Sequence, residues 1–459
     1  MPPALLGTNY DKRLVGKLPP VRIVNRYVEA ATVNQLTGVA ILPRPGLALY
    51  DTVGSGIQRG VYRQPGLFDG ELFVVSGTAF YRDGVLVAGT IAGTDKIRWA
   101  GTDIVEGLWF CGGGNLYLYD GATIATITVP DSLDCTDVTE LNGYILVQVA
   151  GSGRRYFVRP GEITIDPLDF FTAESSPDAG VATVATASEV WLFDGISAEP
   201  WLPTGNSDAP FQRYEGRIFS RGATARDSVV LFDNTIFFVG EDNEQGRIAY
   251  RAGDVPQRIS TTAIEERFRL SDADFSAIAF VLDGHAFYVV SCTEGTFAYD
   301  VSTGAWSEWK SYGLDRFRGH VAASAAGDKV ILGDSEATGN LYTLDPDRGN
   351  DNDDPIERVV GGGVPLLGRQ SIDCLWLLCN TGASADPDYL PVISAQFSRD
   401  GGQTWGDPKQ ASLGQTGDYN KRVRWSRLGQ YRQPGFLFEI LDSDDVQTTF
   451  QFATYNEVF

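Results

Sequence analysis

The chain has 459 residues, of which 43% are hydrophobic, 12% aromatic and 21% charged, with 52 glycines and only two histidines. This balance is typical of a globular protein with a large core and excludes an intrinsically disordered chain. The 37 basic residues against 59 acidic residues give a formal net charge of -22. Such a charge repels phosphate backbones and anionic membranes, so it argues against a sequence-specific DNA-binding protein.

The cysteine and histidine content argues against disulfides and bound metal. The five cysteines are an odd number scattered through a long chain, which indicates buried free thiols rather than a disulfide framework. Two histidines cannot complete a Cys/His zinc set, so we expect no metal and no cofactor. The N-terminus has no basic region before a long apolar stretch, and no run of about 18 apolar residues occurs. We therefore expect a protein that is neither secreted nor inserted in a membrane.

Hairpin signals recur along the first three quarters of the chain. "ELFVVSGTAFYRDG" (Glu71–Gly84) and "GLWFCGGGNLYLYDG" (Gly107–Gly121) each combine an apolar run, a glycine turn, an aromatic run and Asp-Gly. Successive repeats lie 36 to 50 residues apart, and further copies begin at Asn142, Ser188, Asp233, Asp283 and Gly327. One hairpin cannot bury its own apolar face, so the repeats predict an all-β fold with a β-propeller of six or seven blades. A multi-sheet sandwich is the alternative.

The chain changes character after the last repeat. Residues 345–355 are acidic and turn-rich, and three glycines follow at 361–363. We therefore expect a propeller domain over residues 1–355, including an extended N-terminal segment, a Gly-rich connector over 356–363 and a second domain over 364–459. Five strand-like segments in the second domain predict an antiparallel β-sandwich. The Asp-rich stretch lacks the glycine and terminal glutamate of an EF-hand, which favours a solvated loop over a calcium site.

One motif in the second domain matches the Asp-box of sialidases and other propellers. In "SRDGGQTW" the pattern S-x-D-x-G-x-T-W is formed by Ser398, Asp400, Gly402, Thr404 and Trp405. The expected role is structural, because Asp400 can accept backbone N–H groups in the turn and Gly402 permits a positive φ. A sialidase would also need an arginine cluster and a tyrosine nucleophile, which no motif supplies. P-loop, G-x-S-x-G and H-E-x-x-H signatures also fail, so no catalytic residue is assigned.

A basic stretch in the second domain opposes the net charge of the chain. Residues 409–432 contain six basic residues and one acidic residue. If this stretch is a strand, Arg422 and Arg424 share one face, while Val423 and Trp425 share the other. The stretch therefore predicts a contact with an acidic partner subunit or with DNA, against the alternative of a solvated outer face. The candidate contact residues are Lys421, Arg422, Arg424 and Arg427.

Seven segments in a fixed order carry a family resemblance. They are Val24–Glu29, Arg44–Tyr50, Thr172–Asp178, Glu189–Arg213, Asp233–Gly240, Pro256–Glu265 and Tyr419–Arg432. In this order they resemble the packaged-DNA stabilisation proteins of short-tailed bacteriophages, also called tail accessory factors or tail nozzle (hub) proteins. The resemblance covers most of the chain, and the family has no catalytic residues to transfer.

The resemblance implies a structural protein of the phage tail rather than an enzyme. Its implied form is a homo-hexameric ring below the portal-adaptor ring, with tail fibres or spikes and a tail needle or plug as neighbours. The ring encloses the channel through which packaged double-stranded DNA is retained and ejected, and it is assembled into the virion in the host cytoplasm. A negative wall around such a channel would keep DNA from adhering. The alternatives are a propeller glycan hydrolase or depolymerase and a carbohydrate-binding tail protein.

Overall fold

Short strands of the N-terminal segment precede the first repeat. The computed structural model describes residues 3–13, 21–30, 38–173, 178–242, 246–324, 329–384 and 386–456. Its first strands are β1 (Pro3–Leu6), β2 (Ile23–Val24), β3 (Arg26–Ala30), β4 (Val39–Pro43) and β5 (Gly46–Thr52).

In the described part of the chain, seven four-stranded blades form the propeller. Five are separate sheets, the sixth is one end of a 15-stranded sheet, and the seventh belongs to a six-stranded sheet. Each predicted hairpin supplies the second and third strands of a blade, so the predicted range of six or seven resolves to seven. Blade one consists of β6 (Gln58–Tyr62), β7 (Phe73–Ser76), β8 (Ala79–Arg82) and β9 (Val85–Ala88), and blade two of β10 (Arg98–Thr102), β11 (Gly107–Gly112), β12 (Asn115–Tyr119) and β13 (Ile124–Ile127). Blade three consists of β14 (Cys135–Leu141), β15 (Tyr144–Val149), β16 (Arg154–Val158) and β17 (Phe170–Thr172), blade four of β18 (Gly180–Ala185), β19 (Val190–Asp194), β20 (Ala198–Pro203) and β21 (Phe211–Arg213), and blade five of β22 (Val230–Phe232), β23 (Thr235–Asp242), β24 (Gly246–Ala252) and β25 (Gln257–Arg258). Blade six consists of β26 (Ser276–Leu282), β27 (His285–Cys292), β28 (Gly295–Asp300) and β29 (Ala305–Trp309), and blade seven contains β30 (Gly319–Ser324), β31 (Val330–Asp334) and β32 (Asn340–Asp345).

Apolar side chains fill the layers between neighbouring blades. Consecutive residues of a strand point to opposite faces, so Phe237 packs towards blade six while Phe238 packs towards blade four. The helix α1 (Thr262–Leu270) adds Ile264 and Phe268 to the layer between blades five and six. Each large apolar side chain buried in this way stabilises the fold by about 1.5–3 kcal/mol.

The ring is closed by a strand from outside the repeats. β5 pairs antiparallel with β32 and becomes the fourth strand of blade seven, with Leu47 opposite Leu344. Leu47 is fully buried in the layer between blades six and seven. The N-terminal segment therefore completes the last blade, which lies almost 300 residues further along the chain.

The sandwich combines C-terminal strands with N-terminal ones. One sheet has the order β3-β4-β41-β36-β39, and β2, β35, β40, β37 and β38 follow one another in the other. β1 pairs with both β35 and β41 and so joins the two sheets along one side. Ile41 of β4 lies in the sandwich core beside Trp425 and Phe436. The remaining strands are β33 (Asn350–Asp351), β34 (Asp354–Pro355), β35 (Arg358–Pro365), β36 (Gln370–Cys379), β37 (Val392–Ser398), β38 (Lys409–Ser412), β39 (Val423–Tyr431), β40 (Gly435–Asp442) and β41 (Phe450–Tyr455).

The structure has a strand where the sequence analysis expected a Gly-rich connector over residues 356–363. β35 spans Arg358–Pro365 and pairs with β1, β2 and β40. A side chain on Gly361 would place its Cβ 2.9 Å from the backbone nitrogen of Arg22. The glycines therefore allow close approach of neighbouring strands and do not act as a flexible linker.

A continuous hydrogen-bonded sheet connects the propeller with the sandwich. β2 pairs in parallel with β29 of blade six and antiparallel with β35 of the sandwich. The sequence analysis placed the N-terminal strands β1, β2 and β3 in an extended segment of the propeller domain. Their pairing instead places β1 and β3 in the sandwich and β2 between the two parts.

Replacing Gly361 with alanine tests the close approach at β35. We expect Gly361→Ala to lower the free energy of unfolding by about 1–3 kcal/mol, because the new Cβ meets backbone rather than a movable side chain. Gly368→Ala is the matched control, since a Cβ there meets nothing within 4 Å. Denaturant unfolding of both variants measures the difference, and equal stabilities would contradict the packing role.

Candidate functional site

The predicted basic stretch lies at the open edge of the sandwich. Within the described chain, β38 pairs only with β37 and β39 only with β36, so each ends its sheet. The two strands lie side by side, because the indole Nε1 of Trp425 donates to the carbonyl of Lys409 at 2.8 Å. The Lys409 ammonium in turn donates to the carbonyl of Ser426 at 3.4 Å. We call this surface, formed by β38, β39 and residues 421–422, the basic edge.

Side chains of β39 alternate as predicted. Val423 and Trp425 are buried in the sandwich core, whereas Arg424 is exposed. The guanidinium carbons of Arg422 and Arg424 lie 5.9 and 5.0 Å from the ring centroid of Trp376 on β36. This is the range of a cation–π interaction, so one indole holds two positive charges next to each other on the outer face.

The other two predicted contact residues have different surroundings. The Lys421 ammonium lies 4.0 Å from a carboxylate oxygen of Asp418, and both side chains are largely exposed. Arg427 has a φ of +58°, and its carbonyl accepts a hydrogen bond from Lys409 at 3.3 Å. The structure therefore brings Arg422 and Arg424 together on Trp376, while the role of all four residues in partner contact stays a prediction.

The Asp-box residues form the turn between β37 and β38. Asp400 Oδ1 accepts the backbone N–H groups of Gln403 and Thr404 at 3.0 and 2.9 Å, and Oδ2 accepts the Thr404 hydroxyl at 2.6 Å. The Ser398 hydroxyl accepts the N–H of Gly402 at 2.8 Å, and Gly402 has a φ of +88°. The Thr404 hydroxyl and backbone N–H, together with Ser398, lower the pKa of Asp400 to about 2. Both oxygens of this carboxylate are thus used within its own turn.

The last residue of the Asp-box, Trp405, is half-buried.

Hydrogen bonds to other parts of the chain hold both histidine rings. His285 Nδ1 lies 2.8 Å from Asp300 Oδ2, and His320 Nε2 lies 2.7 Å from the carbonyl of Gln58. Burial and the charge of Lys96 lower the pKa of His320 to about 3. His320 is therefore neutral near pH 7.

A buried polar cluster at the junction of propeller and sandwich was missed by the sequence analysis. Asn25 adopts a φ of +52° and is 1% exposed. Its Nδ2 donates to the carbonyls of Lys310 and Glu357 at 2.9 and 2.8 Å. Its Oδ1 accepts the N–H of Lys310 at 2.9 Å and Nε of Arg44 at 3.1 Å. One amide therefore joins blade six, the lead-in to β35 and the start of β5.

Two buried ion pairs flank Asn25. Arg44 donates to both carboxylate oxygens of Asp351 at 3.0 and 2.8 Å, and both side chains are at most 1% exposed. Arg26 donates to Asp442 at 2.6 Å and lies 3.7 Å from the ring centroid of Phe450. Burial lowers the pKa of Arg26 to about 10, against the opposing effect of Asp442. The Asp-rich loop considered for calcium thus contains the carboxylate that neutralises Arg44.

The signal for the junction was present in the sequence. Asn25 and Arg26 belong to the resemblance segment Val24–Glu29, and Arg44 begins the segment Arg44–Tyr50. Their partners in blade six, in β33 and in the sandwich lie 285 to 416 residues away along the chain. No local pattern gives such pairings, so the three residues could not be recognised as one cluster from sequence spacing.

The central channel of the propeller is a blind cavity. Innermost strands from all seven blades line a volume of about 390 Å³. Arg226 reaches across it and donates to the carbonyls of Thr136 and Lys96 at 2.7 and 2.8 Å, which belong to blade three and the approach to blade two. Arg98 donates to the Arg226 carbonyl. Side chains therefore close one end of the channel.

The described residues contain neither a membrane-spanning helix nor a metal-binding cluster. No helix there is long and apolar enough to span a bilayer. No group of three or more His, Cys, Asp or Glu side chains in that part of the chain is arranged to hold a metal ion.

Profiles of one protein family match both parts of the chain. One profile, described as "Bacteriophage P22 Gp10, beta-propeller", matches residues 18–349. A second profile, described as "Bacteriophage P22 Gp10, beta-sandwich", matches residues 367–453. The first alone covers more than half of the chain. Together they confirm the predicted all-β fold of a propeller with a C-terminal sandwich.

Other comparisons are distant. The β-propeller domain of Cps50 (Swd1) from Myceliophteria_thermophila has 11% identity and a TM-score of 0.43, over 65% of this chain and 100% of that one. YCF48 from Cyanidioschyzon merolae has 13% identity and a TM-score of 0.42, over 66% and 99%. No curated protein matches significantly.

Removing the carboxylate of Asp351 tests the junction. We expect Asp351→Ala to lower the free energy of unfolding by about 3–5 kcal/mol, because the Arg44 guanidinium stays buried without its partner. Asp347→Ala, at an exposed aspartate of the same loop, is the control and should change stability by less than about 0.5 kcal/mol. Denaturant unfolding measures both. Similar stability of the two variants would contradict the proposed importance of the pair.

Thr404→Val tests the structural role of the Asp-box. Loss of the hydroxyl removes the largest contribution to the low pKa of Asp400, so the pKa should rise from about 2 towards the ordinary aspartate value. A carboxylate with a depressed pKa stabilises the turn above its ordinary pKa and loses this effect as the pH falls through the lowered value. NMR titration of the carboxyl carbon measures the shift. An unchanged pKa would contradict the hydrogen-bonding account.

Proposed function

Since the chain belongs to the bacteriophage P22 Gp10 family of phage DNA stabilisation and tail proteins, we propose that it forms a homo-hexameric nozzle ring in the tail, below the portal-adaptor ring. In this role it retains packaged DNA and surrounds the path of ejection. The match of both family profiles, in order and over most of the chain, carries the proposal.

The way the two parts of the chain are joined suits a rigid structural component. The propeller and the sandwich share one hydrogen-bonded sheet through β2. Buried ion pairs on either side of Asn25 fix the same junction. A tail component must keep its shape while DNA moves past it, and a junction without a flexible linker suits that requirement.

The DNA path in this proposal lies between copies of the chain. Arg226 and Arg98 close one end of the channel of a single propeller, and the inner part of this channel has a volume of about 390 Å³. A ring of copies, each with a formal charge of -22, would present a wall that repels DNA phosphates. Repulsion favours a mobile duplex over an adhering one.

The basic edge is the proposed docking surface for an acidic neighbour in the tail. Its two clustered charges, Arg422 and Arg424, are opposite in sign to the net charge of the chain. They would attract an acidic partner and also fix the orientation in which it docks. Candidate neighbours are the adaptor ring, tail fibres or spikes, and the needle or plug. An adjacent copy of the chain is a further candidate.

A glycan hydrolase or a carbohydrate-binding tail protein has weaker support. The motif that suggested it is a single Asp-box outside the propeller. Both oxygens of Asp400 are occupied by groups of the same turn. Release of sugars from host surface polysaccharide by the purified chain would favour the hydrolase, and glycan retention without product would favour the binding protein.

Localisation in assembled particles tests the main proposal. A density map of the virion, together with the mass of the isolated ring, should place this chain in the tail as six copies around the DNA path. The control is a particle assembled without the chain, which should lack the corresponding density and lose packaged DNA. A position outside the tail, or an active monomer that releases sugar, would overturn the assignment.

Charge reversal tests the basic edge. We expect Arg422→Glu combined with Arg424→Glu to weaken incorporation into tails at least about tenfold, because like charges then meet across the contact. Arg269→Glu, at an exposed arginine of the propeller helix, is the matched control and should leave incorporation unchanged. Quantitative comparison of purified particles gives the result, with thermal unfolding as a check of folding. Full incorporation of the double variant refutes docking through this edge.

A further inference from the structure

The propeller channel opens to solvent through a wide mouth. The mouth has a volume of about 910 Å³ and is lined by blades one, five, six and seven. Leu231 and Val281 stand at its wall and are 39% and 50% exposed. Val61, Tyr62 and Leu231 line both the mouth and the inner cavity, so the two spaces form one blind funnel.

The floor of the funnel carries charges of both signs. Arg226 lies 2.9 Å from Asp227, and Arg98 lies 3.6 Å from both Asp227 and Asp137. Asp137 also accepts the backbone N–H groups of Val138 and Thr183 at 2.9 and 3.0 Å. Each carboxylate at the floor therefore already has an arginine beside it.

Lys96 is the remaining cation. Its ammonium donates to the backbone carbonyl of His320, and no carboxylate of the described chain lies within 4.0 Å of it. Burial, together with the charges of Arg98 and Arg226 and against the opposing effect of Asp227, lowers the pKa of Lys96 to about 8. A half-buried ammonium with a neutral partner gains stabilisation from an incoming anion.

The rim differs from the wall. Arg63, Asp283, Ser324 and Lys329 border the mouth, and the last three are exposed. These groups can donate and accept hydrogen bonds, which a peptide backbone uses and an alkyl chain does not. The funnel thus offers hydrogen-bonding groups at the rim, apolar side chains along the wall and a cation at the floor.

We propose that this funnel binds the C-terminal end of an extended apolar polypeptide, whose terminal carboxylate pairs with the Lys96 ammonium. The apolar side chains of the ligand contact Leu231 and Val281, and its backbone contacts the rim. The proposal concerns a site of the propeller alone and does not depend on the assembly of the chain into a tail. The ligand adds an anion to the floor, and no covalent step is involved.

Peptide binding to the full chain tests the proposal. The probes are a pool of N-acetyl tetrapeptides built from leucine, valine, alanine and phenylalanine with free carboxyl ends, and the same pool as C-terminal amides. Affinity selection with mass spectrometry, followed by calorimetry, should show retained acids that bind about tenfold or more tightly than their amides. Retention of no acid, or equal binding of acids and amides, overturns the proposal.

Two variants locate the binding. Lys96→Met should abolish the preference for acids over amides, whereas Lys421→Met, on the sandwich, should keep it. Val281→Asp, at an exposed position of the mouth, should weaken the acids without affecting folding, and this variant decides the matter if Lys96→Met does not fold. Acid binding that persists unchanged in Val281→Asp overturns the assignment to the funnel. Decanoate that binds more tightly than every peptide and depends on Lys96 overturns the polypeptide as the ligand.

Discussion

The side-chain amide of Asn25 fixes the relation between propeller and sandwich. Its two N–H groups and both acceptor positions of its oxygen are used, by Lys310, Glu357 and Arg44. A buried amide satisfied in this way cannot exchange a partner for water, so any movement of blade six against β35 leaves a polar group unpaired. The positive φ of Asn25 allows the chain to turn from β2 into β3 at the same point.

The ion pairs beside Asn25 act on arrangement more than on net stability. Removing two charges from water is costly, so a buried pair such as Arg44 and Asp351 gains little over an apolar packing of equal size. Its bidentate geometry, however, accepts only one relative position of β5 and β33. We interpret these pairs as specifying one junction, while the apolar layers between blades supply most of the stability.

The sequence predicted the parts of the fold that are local. Each hairpin of the propeller contains its own apolar runs and turn, so the repeats were visible in the sequence, although the count of six or seven blades stayed open. The closing strand β5 and the shared strand β2 depend on partners hundreds of residues away, and their short sequences carry no repeat signal. The run Gly361–Gly363 indicated flexibility by composition, but a Cβ on Gly361 would meet the backbone of Arg22 and one on Gly363 would meet Leu437 and Phe436. The basic edge was found from the sequence because its charges lie in one short segment. The junction and the floor of the funnel combine residues that are distant along the chain, so they were not found.

The closed channel changes what the net charge of -22 can do. In the proposed ring, Arg226 and Arg98 close one end of each propeller channel, so the negative charge of the chain would act on DNA that passes between copies. Repulsion between copies of like charge then opposes assembly at the same time as it keeps DNA mobile. A ring built from such chains needs local surfaces of opposite sign at its contacts. In the proposed ring, the pair of arginines held on Trp376 would supply a surface of that kind.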